Sequence, residues 1–530
     1  MPLVEPDAVA GQYDVCVIGT GPAGLACGLS CHDRGSRVLM IEAGGEAPIP
    51  GNPDILAAQI DDAAYHDPTD IVSASTLGGT SHWWGGRAVA FDPIDFRDWP
   101  ITRSEMLPWY QEAADFLGAK ALQSSSAPPL FSGLRFFDAE GEETWCPQVN
   151  MAKRWRQRLV HSDGPAILLR TRAVGLLRES GRISGVQVRT GGEERIVRAR
   201  HIVLACGGLG GLKLLLLAQR DDPNLFGGPD GPLGRSYMGH LTGTIANLAF
   251  ADITDNRHFC YRDLGDGIFA RRRLRTTCEV VSDEHLPNTA FWIDDAYYEN
   301  PSHQSSVASA KYLAARLVRR LASRDTKFYD ESLRPHFRNV ARAPFSAASG
   351  LARAGYLHTR ARLTGHLPRP KQFMPAERGA WLMRYHAEQR PDRQNRISLS
   401  TTKTDSVGLP RLHISFRFSR EDCDDVVRTH ELLDADLRRA GAGSLRWIGS
   451  RDDALAAVVA SAKDGYHQIG GTVMSKDPKT GIVDPVCRVH DFENLWIASS
   501  SVFPTGSQAN PTLTIVALSR RLANHLTAKA

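Results

Sequence analysis

YDVCVIGTGPAG, residues 13–24, runs a short apolar, β-rich stretch straight into a glycine-rich turn. Helix formers follow over Leu25–Arg34 until Gly35 stops them, and a second strand, Arg37–Ile41, ends at Glu42. Strand, glycine turn, helix, strand and acidic residue in this order form the dinucleotide-binding fingerprint. Each position has a physical task. Gly19 makes the tight turn, Gly21 lets the backbone approach a pyrophosphate, and Gly24 lets helix and strand pack closely. Pro22 and Ala23 open the helix, whose N-terminus faces the anion. Glu42, eighteen residues after Gly24, is placed to accept hydrogen bonds from ribose hydroxyls. The stretch predicts an α/β (α+β) fold containing a Rossmann-like domain.

Two further glycine-rich segments extend the pattern. LGGTSHWWGGR at 77–87 sets four glycines around two tryptophans and a histidine. Backbone passing close to a flat ligand explains this composition, and so does an aromatic-anchored loop. Near the middle of the chain, IVLA at 202–205 enters CGGLGG and a leucine-rich helix to about Gln219, a second strand–glycine turn–helix crossover. Ile167–Arg178 and Gly185–Arg189 alternate like a strand pair. GGEAPIPGNP at 44–53 reads as a turn region by composition, and Gln123–Ser132 as a polar connector.

Composition sets the bounds. A chain of 530 residues has room for two to four domains at about 150 residues each. Apolar residues at 42% and charged residues at 23% suit a globular enzyme. Sixty-three basic against 59 acidic residues give a net charge of only +4, which argues against nucleic acid as a partner. The densest basic run, RRRLR at 271–275, is expected to be a solvated loop. Nine cysteines do not suggest a disulfide framework, and Cys27 and Cys31 are expected to be helix-packing thiols. No cysteine or histidine set has metal-ligand spacing, so no metal is expected. The N-terminal residues lack a basic, then apolar, signal pattern, and no run approaches 18 apolar residues. A cytoplasmic protein without a membrane span is the expectation.

The tail holds the chemistry-bearing residues. His467 sits in a glycine-flanked turn, where a structural and a catalytic role are both open. Asn510 and Pro511 precede an apolar helix, Thr512–Ala528, as an N-cap and first-turn proline would. The small polar residues at 499–509 lie beside that helix start, a good place for developing negative charge.

GTGPAG with Glu42, GGTSHWWGG, VLACGGLGG at 203–211, GRSYMGH at 234–240 and the whole tail occur in an order that resembles the glucose–methanol–choline (GMC) oxidoreductases. Within them, the stretch 391–418 and the sequences HQIGGTVM and ANPTLT are similar to the pyranose-oxidase, sugar-oxidising branch. The resemblance implies FAD as cofactor and a two-domain, p-hydroxybenzoate-hydroxylase-like architecture. Residues 1–100, 160–244 and 461–530 would build a discontinuous FAD-binding domain. Residues 101–159 and 245–460 would supply connectors and a sheet-based substrate domain.

Carried over by position, His467 matches the family's active-site histidine and Asn510 its partner. The segment containing Gly79, Thr80, Ser81, Trp84 and Gly85 would lie along the isoalloxazine and ribityl chain. Ala205, Ser500, Asn510 and Thr512 would also contact the cofactor, and Val174 loosely matches an adenine-side backbone contact. Where some pyranose oxidases carry a flavin-linking histidine, this chain has Trp83, with His82 one place earlier. Non-covalent FAD is therefore expected. The implied reaction oxidises a secondary or primary hydroxyl of a sugar or glycoside, with His467 as general base and hydride passing to flavin N5. Arg384, His386 and Gln389 are candidates to contact substrate hydroxyls, with ordinary surface polarity equally open. Electrons could leave to oxygen, a quinone or a redox protein; no motif chooses among them or gives the oligomeric state. A GMC enzyme for a non-sugar alcohol, or a lyase retaining FAD structurally, fits the same residues. A nicotinamide enzyme would not account for the second crossover or the His467/Asn510 tail.

Overall fold

The computed structural model describes residues 3–4, 12–48, 55–120, 130–160, 164–294, 301, 305–323, 333–364 and 381–528. Parts of the N-terminal stretch, of the turn region 44–53 and of the connector 123–132 lie outside the described residues.

Tyr13–Ile18 is the middle strand of a five-stranded sheet whose order is 495–497, 199–204, 13–18, 38–41, 166–168. All four pairings are parallel; Val15 to Ile18 lie opposite Val38 to Ile41 on one side and His201 to Leu204 on the other. The near-continuous apolar runs VCVI, VLMI and IVL are buried, as a parallel sheet covered on both faces requires. Helix Pro22–Asp33 covers one face and packs on the C-terminal helix Thr512–Thr527, which also packs on Arg103–Leu117. Cys27 and Cys31 are buried on the first of these helices. Its Gly28 lies so close to the sheet that a Cβ would stand 2.7 Å from Met40 Sδ. The strand order reverses between 13–18 and 199–204, and the helices Pro22–Asp33 and Gly207–Asp221 both start at the carboxyl ends of those strands. That crevice is where such sheets bind ligands.

A second sheet of eight strands is antiparallel throughout. Its order is 443–447, 240–250, 381–388, 289–294, 269–276, 137–145, 87–88, with 262–263 paired to 269–276. Two three-stranded sheets complete the described strands: 171–179 with 182–190 and 193–197, and 58–60 with 410–415 and 396–404. Among the described residues no helix is long and apolar enough to cross a membrane.

Three sequence expectations need correction. RRRLR is no solvated loop: it lies in strand Phe269–Thr276, and Arg271, Arg272 and Arg273 are 5%, 4% and 2% exposed. Its partner strand supplies the reason, since Arg271 faces Glu143 and Arg272 faces Glu142 in register. The run 167–178 is two strands: at Arg170, with φ of 51°, the chain leaves the parallel sheet for an antiparallel hairpin. Asn510 caps no helix. Pro511 immediately precedes Thr512–Thr527 without a side-chain cap, because the Asn510 amide is engaged elsewhere.

Candidate active site

The crevice opens into a cavity of about 1020 Å³ running from the parallel sheet toward the antiparallel one. The first glycine turn forms its floor. Gly19, at φ 105°, packs so tightly that a Cβ would stand 2.5 Å from the Ala205 carbonyl oxygen. Gly24 does not line the cavity; a Cβ there would fall 2.0 Å from the Gly19 carbonyl, so its task is helix–strand packing. At Gly21 a Cβ would meet only Gly79 Cα, at 4.0 Å, and would stand in the cavity itself. Glu42 is buried and accepts from Thr20 N (3.1 Å), Thr20 Oγ1 (2.6 Å) and Gly44 N (2.9 Å). Burial pushes its pKa up against those bonds. The Ala43 N–H adds to these bonds, and the carboxylate lines the cavity on the side where a ribose would lie.

The tryptophan loop forms the opposite wall. Thr80, Trp83 and Gly85 line the cavity with Ser81 and Trp84. Ser81 Oγ donates to Gly78 O at 2.6 Å and Trp84 Nε1 to Val149 O at 2.6 Å, which fixes the loop's shape. His82 is outside: its ring nitrogens meet Leu77 O (3.0 Å) and Asn150 Nδ2 (3.1 Å). Ala205, Ser500 and Thr512 reach the cavity as expected, together with Pro22 and Ala23. Val174 does not. It lines a separate small cavity beside Gln187, while Thr171, Arg172 and Ala173 of the same strand face the large one.

At the far end His467 and Asn510 meet. Asn510 Nδ2 lies 3.1 Å from His467 Nε2, and His467 Nδ1 lies 3.2 Å from Asp464 Oδ2. Asp464 Oδ1 accepts from Gly465 N (2.6 Å) and Tyr466 N (2.9 Å), and Oδ2 from His240 N (2.8 Å). Burial would raise the pKa of Asp464, but His467 and His240 and these N–H groups outweigh it and hold the group far below the usual carboxylate range. An ionised Asp464 can only accept, so whenever the imidazole carries a single proton it sits on Nδ1 and leaves the Nε2 lone pair facing Asn510.

Behind His467 stand two more imidazoles. His240 and His386 stack at 4.2 Å between centroids, and His467 stands beside the stack with its plane nearly perpendicular to both, at 4.6 and 5.3 Å. His386 Nδ1 donates to Gln508 O at 2.7 Å and His240 Nε2 to Ser507 O at 2.9 Å. Burial, then mutual repulsion, pulls His386 well below its usual pKa and His240 to about 3. Both are neutral at ordinary pH. Ligand atoms of the three rings lie within 4.8 Å of one another, a grouping that could hold a metal ion; both nitrogens of His467 are already engaged, however.

The remaining sequence candidates have other positions. His386 supports His467 rather than lining the cavity. Arg384 pairs with Asp294 Oδ2 at 3.2 Å. Gln389 is buried, accepting from Gly239 N and donating to Arg417 O. Sequence reasoning missed Asp464, which a DGYH turn signals through its Asx geometry. It also missed Arg87, Tyr261 and Arg271 on the cavity wall. EGEE at 140–143 against RRRLR was the available signal.

Residues 391–519 match the GMC oxidoreductase family, and residues 14–224 match the FAD binding domain family. The chain belongs to the GMC oxidoreductases. It is 22% identical to the 2-methyl-1,2-propanediol dehydrogenase of Mycolicibacterium austroafricanum, over 98% of this chain and 95% of that protein. It is 24% identical to the 6'''-hydroxyparomomycin C oxidase of Streptomyces lividus, over 99% and 94%. A shorter match, 30% over 26% of this chain and 25% of the other, links it to the C-glycoside 3-oxidase of Arthrobacter globiformis. The crystal structure of pyridoxine 4-oxidase from Mesorbium loti superposes with a TM-score of 0.55 at 18% identity, over 97% and 99%, and shares the fold. This GMC protein is an FAD-dependent alcohol oxidoreductase. Its residues fit the cofactor: the open space at Gly21, the Glu42 carboxylate and the Thr512–Thr527 N-terminus all face one cavity.

Proposed function

We propose that this GMC oxidoreductase oxidises a hydroxyl of a sugar or glycoside, and that His467 takes the hydroxyl proton. The observation carrying the reading is the Asp464–His467–Asn510 array, which sets an imidazole lone pair on the wall of the FAD cavity. FAD, held non-covalently by the 19–24 turn, Glu42 and the 79–85 loop, supplies a hydride acceptor when bound.

Asp464 holds the tautomer and then faces the imidazolium that forms at His467. His240 and His386 add no positive charge beside it, so protonation of His467 meets no cationic neighbour at contact distance. Once Nε2 is protonated it needs an acceptor. The substrate oxygen can serve, and so can Asn510 Oδ1 after the amide rotates. Asn510 thereby orients the substrate oxygen against the base. The division of the chain into a discontinuous FAD-binding unit and a substrate unit belongs to the same reading.

The test is anaerobic reduction of the bound flavin by a panel of sugars, glycosides and diols, in the parent and in His467→Ala. Loss of a positioned base costs about 10²- to 10⁴-fold in rate. Equal rates in the two proteins overturn the base; reduction by 2-methyl-1,2-propanediol alone overturns the sugar.

A further inference from the structure

Strand Phe269–Thr276 sends Arg271 and Arg273 to one side of the antiparallel sheet, where Arg87 joins them around one indole. The three guanidinium carbons lie 5.0, 5.2 and 5.5 Å from the Trp292 ring centroid. A single carboxylate, Glu143, stands among them. It lies 2.8 Å from Arg271 Nη2, 3.6 Å from Arg273 Nη1 and 3.6 Å from Arg87 Nε, and accepts from Tyr261 Oη at 3.3 Å. Burial would raise its pKa, yet the three arginines hold it down at about 2. Beside the cluster Asp294 pairs with Arg384. Among the described residues these four guanidinium groups face Glu143 and Asp294, and Asp92 acts on Arg273 from farther off.

Arg271 and Arg273 are buried with Glu143, where charge is costly unless it is matched, while Arg87 and Arg384 reach the surface of the cluster. Glu143 is 1% exposed, and Arg273 Nε has no hydrogen-bond partner among the described residues. Arg87 and Arg271 nevertheless open onto the large cavity, with Tyr261 and Asp294. The cluster also adjoins the proposed base. Arg273 Nη2 and His386 Nδ1 donate to the same carbonyl, Gln508 O, at 3.4 and 2.7 Å, and His386 touches His467.

We propose that Arg87 and Arg271 bind an anionic group on the substrate, so that the protein acts on hydroxy compounds bearing a carboxylate or phosphate. A guanidinium fork matches either anion, and an anion would balance the surplus that Glu143 leaves. Neutral sugars would leave those charges unmatched, and amino sugars would add to them. The proposal rests on the reading that His467 marks the substrate end of the cavity.

The experiment is a titration of the bound-flavin absorbance in FAD-loaded His467→Ala, where ligand binds without turnover. The probes are glucuronate, glucose 6-phosphate, glucuronate methyl ester, glucose and glucosamine. The expected result is that glucuronate or glucose 6-phosphate binds at least tenfold tighter than the ester and glucose, with glucosamine weakest; whichever wins identifies the anion. In His467→Ala/Arg87→Gln the preferred anion should fall to within about twofold of its neutral counterpart, and Arg87→Lys should recover part of the loss. Arg87 is the variant position because its side chain, at 37% exposed, is the most accessible of the three around Trp292. Neutral or cationic probes binding as tightly as both anions, or no saturable change with either anion, overturns the proposal. Because binding is read without His467, failure of the base is a separate result.

Discussion

Asp464→Asn tests the array at its least replaceable point. The native carboxylate takes five N–H groups: Gly465, Tyr466, His467 and His240 backbone amides and His467 Nδ1. An asparagine offers one oxygen and one NH₂. In either orientation the NH₂ faces donors: the turn amides, or His240 N and Nδ1–H. The economical relief is for His467 to move its proton to Nε2, which removes the lone pair. The rate of flavin reduction should fall about 10²- to 10⁴-fold. Stability should also drop, by about 1.5–3 kcal/mol for the lost charged hydrogen bonds. Stopped-flow reduction under nitrogen, with FAD content and melting measured on the same samples, separates the two effects. A variant that holds FAD, melts lower and still reduces its flavin within threefold of the parent would refute the role given to Asp464.

Asn510→Ala should slow flavin reduction without a cap-sized loss of stability, because the side chain caps nothing; a melting shift matching about 1 kcal/mol would contradict the structure. His240 is neutral in the fold down to about 3 but ordinary when unfolded, so the unfolded chain binds more protons between about pH 6.5 and 3. Stability present above pH 6.5 should therefore be lost as pH falls through that window, by up to about 1.4 kcal/mol per unit for each such histidine. Melting curves of the parent and of His240→Asn, taken from pH 7 to 4, should diverge least at the acid end. Acid precipitation should release all the FAD into the supernatant, since His82 is turned from the cavity; yellow colour in the pellet counts against it.

What the sequence made legible was local. The Gly19–Gly24 turn, Glu42 and the second crossover declare themselves because glycine spacing and apolar runs reflect backbone constraints within a few dozen residues. His467 and Asn510, 43 positions apart, came through the family likeness, and their 3.1 Å meeting was not readable from spacing. The arginine strand was misread because charge runs are normally solvated; its burial depends on Glu142 and Glu143, more than a hundred residues away. Of the two roles expected of Asn510, the helix cap does not form, because its amide meets His467 instead of the backbone nearest in sequence. Val174 failed by a single residue: Ala173 faces the large cavity and Val174 the small one, in a strand whose pairing shifts at this point.

The pairing of Leu495–Ile497 with Ala199–Leu204 has a consequence for how the chain is made. Synthesis at about 5–20 residues per second separates these strands by roughly 15–60 s. Throughout that interval the nascent sheet carries an open apolar edge, the kind that recruits other chains. Helix Pro22–Asp33 likewise waits for Thr512–Thr527. A ribosome that stalls or terminates before residue 495 would release a product with an unfinished sheet and no His467–Asn510 meeting, exposed for recognition by chaperones and proteases.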